Sequence, residues 1–184
     1  MPERQHSSFL AGQKPRLEEL ISILAPRFDY ISALGTDDRG ISYAATPGET
    51  RTGEPMWVQR GFVFRAQKGG KIAEYACPSL GGADAAGKVA AELDRLLAAE
   101  DAIVFPPIPD EPLVAEYRGS IEEDPFVADP EAILSRLTAL RERLTDGKTV
   151  VMAHSRYECV DVSRIFISPN RSLFQSFAWS QAYI

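Results

Sequence analysis

Residues 60–78 read RGFVFRAQKGGKIAEYACP. Phe62, Phe64 and Ala66 alternate with polar neighbours, the period-2 pattern of a half-buried strand. The glycines of KGG can take the positive φ that a tight turn needs, and Ile72 and Tyr75 follow in a second apolar run. This stretch predicts a β-hairpin, and an antiparallel sheet around it is the simplest frame for the rest.

Upstream, residues 28–53 (FDYISALGTDDRGISYAATPGETRTG) hold two strand-like runs, Tyr30–Leu34 and Ile41–Ala45. The segment TDDRG between them reads as a turn, and residues 48–55 (GETRTGEP) as a flexible loop. Before these, Leu17, Leu20, Ile21 and Leu24 follow helical spacing from Pro15 to a stop at Pro26. Residues 1–13 are polar and predict a flexible tail.

Downstream, residues 83–100 place Val89, Leu93, Leu96 and Leu97 on one helical face, with Ala86 and Ala90 widening it. Residues 101–128 are dense in proline and carboxylates, which predicts an extended strap. A third helix has Asp129 as N-cap, Pro130 in its first turn and Gly147 at its close. Its expected buried stripe is Ile133, Leu137, Leu140 and Leu144. Residues 148–184 read as three strands, with SPNRS as the last turn.

The predicted fold class is therefore α+β: an antiparallel or mixed sheet with amphipathic helices packed on it. A weak echo between residues 14–100 and 129–184 is consistent with two α–β–β units. The 184-residue chain is 45% hydrophobic and 25% charged, ordinary values for a globular protein. Its net charge of −6 and lack of a Lys/Arg run argue against nucleic-acid binding. No apolar run has membrane-spanning length, and the N-terminus lacks the pattern of a secretory signal. Two cysteines, Cys77 and Cys159, make no disulfide framework, so a cytoplasmic location is expected.

Candidate chemistry is sparse. His154, Glu158 and Cys159 are potential metal ligands, but on a strand Cys159 faces away from the other two. Adjacent Asp37 and Asp38 suit a turn better than acid–base catalysis. KGGK lacks the frame of a phosphate loop, and Ser79, Ser163 and Ser168 have no nucleophile-elbow context. The acidic run EEDPFVADPE reads as a solvated strap. Neither a catalytic nor a metal or cofactor site is recognised. Phe177, Trp179 and Tyr183 share one face of the last strand, as an interface or cavity wall would.

The order of these pieces resembles the N-terminal domain of the TldD/PmbA family, also known as modulators of DNA gyrase. FDYISALGTDDRG is similar to the family's opening strand, RGFVFRAQKGGKIAEYACPSL to its hairpin, and DPF…DPEAILSRLTAL to the entry of its second helix. VVMAHSRYECVDVSRIFISPNRSLFQSFAWSQAYI is similar to its terminal strands. SPNRS stands where the family usually has a Ser-x-Gly turn, and GET…EPMW where it has a shorter link. The resemblance implies a non-catalytic domain of a cytoplasmic zinc metallopeptidase that shapes the substrate cavity and a subunit interface. The His-Glu-x-x-x-His helix and distant Cys that bind zinc in that family have no counterpart here. Zinc is expected in a domain downstream of Ile184, and the expected partners are that domain, a homo- or heterodimer subunit and a peptide. Nucleic acid and membrane are not expected partners. A free-standing interaction module without activity is the alternative, and an enzyme with an unrecognised site around His154 and Tyr157 is a weaker third.

Overall fold

A computed structural model describes residues 3–55, 57–98, 103–150 and 152–184. Its elements are α1 (Ser8–Leu24), a 3-10 turn (Ala25–Arg27), β1 (Tyr30–Thr46), β2 (Glu49–Gly53), β3 (Arg60–Lys68) and β4 (Lys71–Cys77). After these come α2 (Ala85–Leu97), β5 (Leu113–Arg118), α3 (Pro130–Leu144), β6 (Ser155–Ile167) and β7 (Arg171–Tyr183). The seven strands form one mixed sheet in the order β4-β3-β1-β6-β7-β5, and β2 pairs with the distal half of β1. Every pairing is antiparallel except β5 with β7. This is the α+β fold expected from the sequence, with both units sharing one sheet.

The hairpin forms as its residues predict. Lys68 pairs with Lys71 across Gly69 and Gly70, both at positive φ, a two-residue turn whose twist matches that of the strands. The turn expected at TDDRG does not form. Instead β1 runs unbroken through it, because β6 pairs with it from Ala33 to Ala45 and supplies backbone partners for the whole stretch. Asp37 and Asp38 then point to opposite faces, where Arg60 and Gln59 respectively meet them. The expected loop 48–55 contains β2, joined to β1 through Pro47 and Gly48.

Odd-numbered residues of β1 face the helices. α1 lies on its first half and on β6, and α2 lies on β3 and β4; Leu10, Leu17, Leu20, Ile31, Phe62, Phe64, Leu93 and Ile165 join one buried cluster there. α3 covers the second half, with Leu137 against Tyr43 and Ala45. Only Leu137 of the stripe expected on α3 is buried; Leu140 is 41% and Leu144 45% exposed. The apolar contact of α3 with the sheet centres on Leu137, beside Tyr43 and Ala45, and the stripe beyond it is left to solvent.

Three further expectations are corrected. α1 starts at Ser8, capped by the Ser7 hydroxyl, which accepts from the Leu10 amide. Pro15 is therefore interior, and the burial of Leu10 offsets the lost helical hydrogen bond. Residues 3–7 are not a free tail: Glu3 bridges to Ser120 and Arg4 is 6% exposed. The three terminal strands expected are two long ones, with residues 152–154 outside them.

Gly35 lies where β1 passes under α1: an added Cβ would fall 2.8 Å from Ile165 and 2.9 Å from Phe62. Gly35→Val should therefore destabilise the fold by about 2 kcal/mol through overpacking, read as a lower urea midpoint. An unchanged midpoint would deny the close approach.

Candidate functional site

The residues singled out for metal binding do not converge. His154 is exposed in the segment before β6. Glu158 is buried on the sheet face away from the helices, paired with Arg156 and accepting from Gln181 Nε2 at 2.8 Å. Cys159 lies on the helix face, and burial pushes its thiol up to about 12. Among the described residues no group of three metal-capable side chains forms. Ser163 shares a hydrogen bond with Ser176 at 2.7 Å and Ser168 donates to Asp110 at 2.5 Å, while Ser79 is exposed.

The face opposite the helices carries the more suggestive chemistry. The β6–β7 register places Phe177, Trp179 and Tyr183 there, beside Val162, Val160 and Arg156. Phe177 and Trp179 are half-buried and Tyr183 is exposed. Two covalent crossings bound this face. At one end the Gln67 amide clasps the strap, donating to the carbonyls of Phe105 and Pro106 and accepting from the Ile108 amide. At the other, Pro55 lies against Gly40 and Trp57 stands near Trp179.

Between the crossings lies a hollow of about 420 Å³, lined by Leu34, Phe166, Leu173, Ala115 and Tyr117 together with Arg164 and Gln175. A second hollow of about 310 Å³ is bordered by Trp57, Trp179, Asp38 and Arg164. Burial raises the Asp38 carboxyl above its ordinary range, opposed by Gln59 and by Arg164, whose guanidinium is 3.6 Å away. An apolar floor with a few charged groups suits contact with polypeptide better than bond-making.

On the helix face the N-terminus builds an ionic knot. Arg4 donates to Asp161 from Nε at 3.0 Å and from Nη2 at 2.5 Å, and to Asp124 at 2.5 Å. Arg39 donates to the same Asp161 at 2.9 Å, and the Phe126 ring lies within cation–π reach of both arginines. His6 stacks on Phe174 at 3.9 Å with Nδ1 2.8 Å from Ser176 Oγ. A lone arginine and histidine in a polar segment carry no periodic signal, so sequence reading missed them.

Arg4→Ala should cost about 3 kcal/mol, because buried Asp161 loses its principal partner; a change below 1 kcal/mol by chemical denaturation would reduce the knot to decoration. Burial, assisted by Arg118, lowers the His6 pKa, with Glu116 opposing. The folded state thus resists a proton that the unfolded chain accepts near pH 6.5. Stability should be full above that value and fall as pH drops through it. His6→Phe should flatten this part of a melting-temperature profile. Cys159 should escape alkylation at pH 8 until the protein unfolds, which mass spectrometry of labelled chain would show.

No family model matches the sequence, and no curated protein matches it. Solved structures do. A candidate modulator of a DNA gyrase from Thermotoga maritima superposes with a TM-score of 0.66 at 13% identity, over 91% of this chain and 38% of that one. A candidate modulator of DNA gyrase from Bacteroides thetaiotaomicron gives 0.65 at 10%, over 92% and 40%. TldE from Thermococcus kodakarensis gives 0.56 at 16%, over 90% and 38%. The chain spans about two fifths of the length of these structures. The resemblance seen in the sequence thus holds at the level of architecture: the chain has the fold of the corresponding part of these structures.

Proposed function

We propose that the chain is a non-catalytic domain of a TldD/PmbA-type cytoplasmic metallopeptidase, and that its open sheet face helps wall the cavity through which peptides reach the active site. The observation that supports this most is the contrast between the two faces. One is closed by three helices, whereas the other leaves Leu34, Phe166, Leu173, Phe177 and Trp179 in a partly exposed stripe framed by two chain crossings. Apolar stripes of this kind mark interaction surfaces.

On this reading zinc and the hydrolytic residues belong to a downstream metallopeptidase domain, and the partners are that domain, a second subunit of like or unlike kind, and a peptide. The chain's own contribution is steric and apolar: it excludes folded proteins and offers extended polypeptide a surface to lie on.

The test joins metal and activity measurements with a surface probe. The purified chain should carry no stoichiometric zinc by elemental analysis and should not cleave casein. It should brighten a hydrophobic dye, and the double variant Phe177→Ser/Trp179→Ser should reduce that signal by about half. One tightly held zinc per chain, or hydrolysis that survives further purification, would overturn the proposal. A dye signal indifferent to the two substitutions would remove the open face from it.

A further inference from the structure

β5 is the last strand of the sheet on its side, and among the described residues no strand pairs with its outer edge. All six of its residues are exposed, Val114 at 79% and Tyr117 at 60%. An edge presenting unpaired backbone groups and large apolar side chains is a template for strand addition. Its polarity is fixed by the bonds on the inner side: Leu113 donates to Asn170 and Gly119 to Ser176. In a strand, alternate residues turn their N–H and C=O to opposite edges. Val114, Glu116 and Arg118 therefore direct theirs outward.

We infer that this edge pairs with β5 of a second copy of the chain, antiparallel about a two-fold axis at Tyr117. The sequence Glu116-Tyr117-Arg118 is its own electrostatic complement under that operation. Glu116 falls opposite Arg118 of the second copy, and Arg118 opposite Glu116 of the second copy. Both are outward-facing positions, so each pair is a hydrogen-bonded one and the ladder closes without a slip. Tyr117 meets Tyr117 of the second copy at the non-hydrogen-bonded position, where side chains approach more closely.

In one chain Glu116 is half exposed and makes only long contacts, to Arg118 at 3.5 Å and to His6 Nε2 at 3.4 Å, so a partner across the edge can compete for both groups. A two-fold contact of this kind is self-limiting: it consumes both edges and leaves none to propagate. Pro112, which has no N–H to donate, precedes the strand and limits the pairing to a short segment, which keeps the association reversible. The helices of both copies then lie on one side of a continuous sheet. On the other side Tyr117, which lines the larger hollow, joins the two hollows across the axis.

The inference takes up the second-subunit part of the proposed function but rests on the β5 edge alone. The charged residues that test it face the helix side, so the outcome is separable from that of the open-face variants. The experiment is sedimentation equilibrium of the 20.2 kDa chain over about 1–500 µM. Mass should rise toward twice the monomer value. Glu116→Arg and Arg118→Glu should each weaken association about tenfold, since symmetry counts each like-charge pair twice. The double variant Glu116→Arg/Arg118→Glu should restore it. Circular dichroism guards against misfolding, and hydrogen exchange gives a second readout: the amides of Val114, Glu116 and Arg118 should gain protection as concentration rises. A monomer throughout the range, single reversals without effect, or a double variant as weak as the singles would each overturn the inference.

Discussion

The pairing of β1 with β6 governs everything else in this structure. Backbone bonds run from Ala33 opposite Ile167 to Ala45 opposite Ser155, and side chains alternate with a period of two. That register decides which residues meet the helices. Ile31, Ala33 and Ile165 fall inward, while Leu34, Asp38 and Arg164 fall on the other face. A slip of one residue would send Arg164 into the apolar cluster and Ile165 out of it. The cost of burying an unpaired guanidinium makes the register all but compulsory.

The two faces then solve different problems. The helix face is saturated: α1, α2 and α3 cover it, and its few polar groups are tied into the Arg4–Asp161–Arg39 knot or the His6–Ser176 contact. The other face is spanned by chain rather than by elements, at Gln67 and at Pro55–Gln59, with hollows between. A covered face contributes stability, and a spanned one leaves surface for recognition.

Much of this was legible in the sequence wherever the signal is local. The hairpin around Gly69 and Gly70, the stripe of α2 and the Asp129 cap of α3 follow from neighbours a few residues apart. β1 was not legible, because Thr36-Asp37-Asp38-Arg39-Gly40 has the composition of a turn. It is held extended by β6, whose residues are remote in the chain. Period two placed Phe177, Trp179 and Tyr183 on one face, but not which face the helices would leave open. The N-terminal anchor was hidden for the same reason: nothing beside Arg4 in the sequence announces Asp124 or Asp161.

The sheet order also divides the chain in two. Strands β1 to β4 come from the first half and β5 to β7 from the second, and the β1–β6 ladder is their seam. Within the halves the hairpins β1–β2, β3–β4 and β6–β7 join strands near in sequence and can zip early. The seam must wait for a long loop to close, which is slow and entropically costly. Until it does, each half-sheet presents a long bare edge, and the chain is most vulnerable to aggregation during that interval. Besides the seam, the strap 103–112 held by Gln67 also ties the second half of the chain to the first.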